Sequence, residues 1–348
     1  MKLALLSGAL ALAVSVGAAA AQPGLQPTAR PYSVVRTARV GGEGGFDYVY
    51  ADIVNRRLYV PRGGDAPRIT VFNLDTLAPA GEIAGANARG TAVDPASGHG
   101  FASSKPVVMW DARSLAKIRT IDVQGNPDGI LFDPFNQRVY VLSHSAPNVT
   151  VIDSKSGGVV GTLDLGGAPE QAASDGKGRI YIDLEDKGQV AVVDAATLTV
   201  KARLDLGGPD LAPAGLALDA RNHVLFVACR NPASMIVLNA DTGKILATLP
   251  IGAGVDGAAF NPATMEAFSS QRDGTLTVIK ETSPTRFAVE QIVRTMVSAK
   301  TLTLDSKTGR ILLIGAEFGP PPPSDVPGGR PRRGAMLPGS FSIIAVGK

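Results

Sequence analysis

The sequence predicts an all-β fold, a seven-bladed β-propeller of four-stranded antiparallel blades, and three repeating features carry that expectation. An Asp or Asn closes a short apolar segment seven times, at Asp52, Asp94, Asp133, Asp175, Asp219, Asn261 and Asp305, with gaps of 42, 39, 42, 44, 42 and 44 residues. Seven residues after the anchor stands an aromatic in five units, Tyr59, Phe101, Tyr140, Phe226 and Phe268. In the fourth unit Tyr181 comes six after its anchor, and in the seventh Leu312 substitutes. A β-rich run ending in a turn former follows, as in Val71-Phe72-Asn73, Met109-Trp110-Asp111, Val151-Ile152-Asp153, Val192-Val193-Asp194 and Val237-Leu238-Asn239. Units of roughly 40 to 45 residues with four strands each are the signature of a propeller.

Each element of one repeat can be justified in turn. In the third unit, Asp128 to Asp133 reads as strand a, Arg138 to Leu142 as b, Asn148 to Ile152 as c and Val159 to Leu165 as d. These stretches are β-branched or aromatic, and Asp-Pro, Ser-Gly-Gly and Gly-Gly mark the turns between them. Asp111, Asp153 and Asp194 can bond their own backbone two residues on, so turn chemistry explains them without a function. After the seventh anchor come strand b (Arg310 to Ala316) and strand c (Ser340 to Val346). The missing strand d falls to Tyr32 to Val40, which closes the ring, removes two exposed edges and makes residues 22–348 one domain.

Composition agrees and excludes several classes. Forty Gly and 25 Pro among 348 residues are too many for a helical bundle and too aperiodic for collagen. A 45% hydrophobic content with a formal charge of +3 argues against disorder. The single cysteine, Cys229, excludes an internal disulfide framework and a cysteine-rich metal cluster. Thirty-four Lys and Arg against 31 Asp and Glu is nearly balanced, and basic residues are not interleaved with a stacking platform of aromatics, so nucleic acid is not an expected partner.

The amino terminus reads as an address. Met1-Lys2 is followed by an apolar run, Leu3 to Ala21, ending in Ala19-Ala20-Ala21 before Gln22-Pro23. A basic start, a short hydrophobic stretch and an Ala-x-Ala end predict a secretory signal cleaved after Ala21 and a periplasmic or secreted mature protein. No membrane span is expected after cleavage, and a monomer is expected.

Strand b motifs Tyr59-Val60-Pro61-Arg62, Tyr140-Val141-Leu142-Ser143 and Phe226-Val227-Ala228-Cys229 precede Val-Ile-Asp-type strands and a Gly-Gly-x-Pro blade start, Gly166-Gly167-Ala168-Pro169. Over residues 32 to 348 the chain resembles the YVTN-repeat β-propellers, the YncE-like family of exported bacterial proteins. The Thr-Asn half of the name motif is absent from every blade. The resemblance implies architecture and export rather than activity, because the motif consists of strand and turn residues. Lactonases, haem-d1 proteins and quinoprotein amine dehydrogenase subunits are relatives by fold, and a shared fold does not transfer function.

Candidate chemistry sits at the mouth of the channel. Five residues before each anchor stand Asp47, Arg89, Asp128, Glu170, Ala214, Asp256 and Lys300, six of them ionisable in a chain only 19% charged. Lys300, Asp47, Arg89 and Asp128 alternate in sign, whereas Asp128 and Glu170 are like-charged neighbours. One reading is a polar funnel for a small polar ligand or a cation, with Asp128 and Glu170 as an acidic pair able to hold a hard cation such as Ca²⁺ through oxygen ligands. The other is an interblade ring of ion pairs that satisfies strand ends. Gly90, Gly129, Gly215 and Gly257, one position later, indicate close backbone approach near the axis.

The b–c loops are expected to bring Arg62, His144, Glu185, Arg230 and Arg272 to the same face. His99 and His223 fall in a–b turns on the opposite face, which argues against a site built from several histidines. The last b–c loop, Glu317 to Gly339, contains Gly319-Pro320-Pro321-Pro322-Pro323 and Arg330-Pro331-Arg332-Arg333. An insertion of that length reads as a lid or docking arm, or else as a solvated loop. No nucleophile–base constellation is visible. The leading expectation is therefore a non-enzymatic exported propeller that binds a small polar ligand, a cation or a protein partner. A lactonase-like or other metal-assisted hydrolase and an accessory subunit of a periplasmic redox or transport system are the alternatives.

Overall fold

The computed structural model describes residues 30–322 and 333–348. The signal expected over Met1 to Ala21 and the Pro323 to Arg332 part of the insertion lie outside the described residues. Residues 31–348 form one compact unit of seven four-stranded antiparallel sheets. Among the described residues the one helical segment is a 3-10 turn, Pro209–Leu211. No helix there is long and apolar enough to cross a membrane.

Blade 1 contains β2 (Tyr50–Asp52), β3 (Arg57–Arg62), β4 (Arg68–Asn73) and β5 (Pro79–Ala84). Blade 2 follows with β6 (Thr91–Asp94), β7 (His99–Ala102), β8 (Val107–Asp111) and β9 (Lys117–Ile121). Blade 3 has β10 (Pro127–Asp133), β11 (Arg138–Ser143), β12 (Val149–Asp153) and β13 (Val159–Leu163), within two residues of the expected ends. Blade 4 is β14 (Pro169–Ser174), β15 (Arg179–Leu184), β16 (Gln189–Asp194) and β17 (Thr199–Asp205). Blade 5 is β18 (Pro213–Asp219), β19 (Val224–Arg230), β20 (Ala233–Asn239) and β21 (Ile245–Pro250). Blade 6 is β22 (Val255–Asn261), β23 (Glu266–Gln271), β24 (Thr275–Ser283) and β25 (Arg286–Arg294). Blade 7 takes β26 (Thr301–Asp305), β27 (Arg310–Gly315) and β28 (Ser342–Gly347), and its outer strand is β1 (Ser33–Arg39) from the other end of the chain. Register runs from Ser33 opposite Gly347 to Arg39 opposite Ser342, with a bulge between Val34 and Arg36.

The anchors work as turn formers. Asp94 Oδ1 accepts from the Ala96 amide at 2.8 Å and Asp219 Oδ1 from the Arg221 amide at 2.9 Å, holding the a–b turns. Several also tie blades together: Asp133 accepts from Ser174 Oγ at 2.6 Å, and Arg56 donates to Asp305 at 2.8 and 2.7 Å. The c–d aspartates behave likewise, Asp111 accepting from the Ser114 amide and Asp194 from the Thr197 amide.

The core lies between blades. The strand b aromatics Tyr59, Phe101, Tyr140, Phe226 and Phe268 are fully buried. Tyr59 meets Trp110 of blade 2 with ring centroids 5.5 Å apart, and Phe226 stacks on Phe260 of blade 6 at 5.4 Å. Each such aromatic contributes about 2 to 3 kcal/mol of burial, and Leu312 fills the same place in blade 7. The closing seam packs Leu58 and Val60 of blade 1 against Ile314, Phe341 and Ile343.

The arm has a defined base. Phe318 and Met336 form an antiparallel bridge, flanked by 2.8 Å bonds from the Gly319 amide to Ala335 O and from the Leu337 amide to Glu317 O. The Arg333 guanidinium lies 3.5 Å from the Phe318 ring centroid.

Candidate functional site

Strand a of blades 3 to 6 starts with a register shift, between Pro127 and Ile130, Pro169 and Ala172, Pro213 and Gly215, and Val255 and Ala258. Such irregularities re-aim side chains. Here they carry Asp128, Glu170, Ala214 and Asp256. Asp47, Arg89 and Lys300 take the equivalent place just before β2, β6 and β26.

The six ionisable positions come together, and two further cations complete them. Lys300 Nζ lies 2.8 Å from Asp47 Oδ1, and Arg89 Nη1 lies 3.0 Å from Asp47 Oδ2. Arg89 Nε reaches Asp128 Oδ1 at 3.5 Å. His144 Nε2 stands between the acidic pair, 3.1 Å from Asp128 Oδ2 and 3.0 Å from Glu170 Oε2. Arg230 pairs with Glu170 at 3.3 Å and also with Asp256, which pairs in turn with Lys300. Eight groups thus form a closed circuit of alternating anions and cations.

Arg230 occupies the gap that Ala214 leaves in blade 5. It stands at the end of β19 and binds Glu185 as well as Glu170 and Asp256. The sequence placed Arg230 and His144 on secondary loops, yet both are members of the ring. What could have found them is the missing charge at Ala214 and the uncompensated Asp128–Glu170 pair, since two adjacent carboxylates need a cation between them.

Burial and the Glu170 charge push the Asp128 carboxyl up to about 6, and its Oδ1 accepts no hydrogen bond. The hydrogen bond to Glu170, with the Asp128 charge, raises His144 despite its partial burial, which favours the imidazolium in the ring. On β15, burial pushes Asp183 up to about 8; its Oδ1 accepts from the Gln171 amide at 2.6 Å inside the blade 4 bulge.

One expectation needs correction. Arg62 is no loop residue offered to a ligand: it is the last residue of β3, 1% exposed, and donates to the carbonyls of Gly42 and Gly44. Its guanidinium lies 3.7 Å from the Phe341 ring centroid, and burial pushes its pKa down to about 10, because the closing seam wraps over it. Arg272 stays exposed in the blade 6 b–c loop, outside the ring, beside Arg333.

Below the ring a second layer of residues lines the channel. One position after each ring residue stand Tyr48, Gly90, Gly129, Gln171, Gly215, Gly257 and Thr301. A Cβ on Gly129 would meet Glu170 O at 2.5 Å, and one on Gly215 would meet Gly257 C at 2.8 Å, so the expected close approach holds at both. Two large exceptions reach across the space that the glycines leave, where a cavity of about 200 Å³ remains. Tyr48 crosses from blade 1 and donates to Glu170 O at 2.9 Å; burial raises its pKa well above the ordinary phenol range. Gln171 Oε1 accepts from the Leu216 and Ala258 amides of blades 5 and 6. Tyr48 and Gln171 escaped sequence reasoning, although their break in the glycine pattern marks them.

Beside the ring a cavity of about 390 Å³ opens between the top loops of blades 1 to 3, lined by Asp47, Asn87, Arg89, Ser103, Lys105 and Asn126. Lys105 Nζ donates to Gly125 O at 2.8 Å, and the Arg89 side chain is 54% exposed. No serine or cysteine pairs with an imidazole among the described residues. Ser103 Oγ is committed to the Gly90 amide, and burial pushes the Cys229 thiol up to about 12.

No protein-family model matches the chain. No curated protein matches it either. Solved structures do: 1685 of their chains match. One comes from the crystal structure of a mitotic checkpoint complex, with 14% identity, a TM-score of 0.67, and coverage of 87% of this chain and 96% of that one. At that identity the likeness concerns the fold alone.

Proposed function

We propose that this protein is an exported, non-enzymatic recognition propeller whose channel mouth binds a small polar ligand carrying an acidic group. The observation that carries this reading is the 390 Å³ polar cavity beside the ring, in which Lys105 and the exposed side of Arg89, itself paired with Asp47, present positive charge among Asn and Ser side chains. Its size lies within the range of about 300 to 1,000 Å³ usual for small-molecule sites. The ring itself is internally compensated, so it acts as a rigid rim, and the open hydrogen-bonding capacity lies in the cavity. Export rests on the Met1 to Ala21 pattern alone.

Calorimetric titration with glucuronate, citrate and uncharged glucose tests the reading. The acidic probes are expected to bind, and Arg89→Ala and Lys105→Ala each to weaken them by about tenfold, the usual worth of one charged hydrogen bond. Failure of all three probes, or binding untouched by Arg89→Ala, overturns it. A metal-assisted hydrolase is the second reading, favoured by the convergence of Asp128, His144 and Glu170.

A further inference from the structure

We propose that Asp128, His144 and Glu170 form a binding site for one transition-metal ion of the zinc class. The three side chains come from the bulge of β10, the b–c loop of blade 3 and the bulge of β14. Each offers one ligand atom, and those atoms lie within 4.8 Å of one another. The two separations from His144 Nε2 are 3.1 Å to Asp128 Oδ2 and 3.0 Å to Glu170 Oε2. A zinc-class ion about 2.0 to 2.2 Å from tetrahedrally placed nitrogen and oxygen donors holds them about 3.3 to 3.5 Å apart, so these two contacts need open by only about 0.2 to 0.5 Å to become coordination edges.

A second, independent feature points the same way. Asp128 is 95% buried, as the 5% exposure of the residue shows, and its Oδ1 accepts no hydrogen bond. That oxygen is faced only by Arg89 Nε at 3.5 Å, too long for a hydrogen bond, so coordination of the carboxylate would offset part of the remaining cost of its burial. The outer oxygens are set by the ring: Arg230 holds Glu170 Oε1 at 3.3 Å, and Arg89 faces Asp128 Oδ1 at 3.5 Å. The same arrangement supplies the outer-shell contacts that orient ligating carboxylates. The His144 side chain is 35% exposed on the top face, which gives an ion its way in.

The donor set also fixes the class of ion. Ca²⁺ takes six to eight oxygens, whereas one imidazole nitrogen with two carboxylates suits Zn²⁺, Co²⁺ or Ni²⁺. The proposal thus departs from the Ca²⁺ expected from the acidic pair alone. Three protein ligands leave a coordination position open toward the top face, where an anionic or carbonyl group could bind the ion directly.

The test uses untagged full-length protein stripped with chelator and titrated calorimetrically with Zn²⁺, Co²⁺ and Ca²⁺, with Co²⁺ absorption as a spectroscopic readout. Expected are one equivalent of Zn²⁺ or Co²⁺, a visible Co²⁺ band, negligible Ca²⁺ uptake, and a loss of about tenfold or more in both His144→Ala and Asp128→Asn. His144 stands on a surface loop, so its variant remains folded, and thermal melts of both variants verify this. No stoichiometric uptake, uptake unchanged in His144→Ala, or Ca²⁺ bound as tightly as Zn²⁺ each overturns the proposal. The outcome is separate from the acidic-ligand reading, because Lys105→Ala tests that reading at a side chain whose hydrogen bond goes to Gly125 O and to none of these three ligands.

Discussion

Tyr48 spans the channel from blade 1 and donates its phenolic hydrogen to Glu170 O of blade 4, 2.9 Å away. One bond therefore joins opposite sides of the ring. Tyr48→Phe should cost about 1 to 2 kcal/mol, because the Glu170 carbonyl loses its donor in a buried place. Tyr48→Ala should cost about 3 to 5 kcal/mol, since it also leaves a void on the axis. Urea denaturation of the two variants checks both size and order.

The ring should not be uniform in strength. Arg230 serves three carboxylates and its side chain is only 30% exposed. Arg230→Gln leaves buried Asp256 short of a cation, and about 3 kcal/mol of stability is expected to go. Arg89, 54% exposed, should cost no more than about 1 kcal/mol in Arg89→Gln. Equal losses in chemical denaturation would contradict the assignment of Arg230 as the keystone of blade 5.

Crowding at the axis gives a steric prediction. Gly129→Ala puts a methyl 2.5 Å from a backbone oxygen, and about 1 to 3 kcal/mol of destabilisation should follow. Gly45 has nothing within 4 Å of the same added carbon, so Gly45→Ala should stay within about 0.5 kcal/mol of wild type. Thermal melts of the pair measure the contrast.

A pH effect is expected far from the mouth. Burial pushes Glu281 up to about 7; Asn222 Nδ2 donates to its Oε1 at 2.8 Å, and the Asp219 charge raises it further. Glu281 Oε2 and Asp219 Oδ2 both lack a partner, which a proton kept on Glu281 would satisfy together. The folded state then holds a proton that the unfolded chain releases above its ordinary value of 4.5, so stability falls as pH rises from 4.5 to 7 and levels off above. Glu281→Gln should make that slope shallower, leaving the part that Asp128 and Asp183 contribute, and gain on wild type as pH rises toward 8, as followed by denaturation at several pH values.

The fold was legible because its signals are local and repeated. Asp94 and Asp219 reveal turns through bonds to amides two residues on, and Tyr59 or Phe226 reveals a seam because each blade needs the same filler. Six ring positions could be read for the same reason, as one register point sampled seven times. Arg230 and His144 were placed on the right face but not in the ring, because their role depends on which neighbour lacks a charge. Arg62 was misread, because its burial depends on a seam built from residues far away in the chain. Tyr48 was missed, since only the assembled ring brings Glu170 opposite to it.

The pairing of β1 with β28 imposes an order of events. Six sheets draw all four strands from one continuous stretch, so each can form as soon as its stretch is available. The seventh must bring together the first and last strands, the slowest kind of contact for a chain to make. Until that encounter, β28 presents a bare edge able to recruit a strand from another molecule. The same pairing that makes the ring seamless therefore makes its last step the one most open to competition, and dilution during refolding should favour the closed monomeric ring over exchanged assemblies.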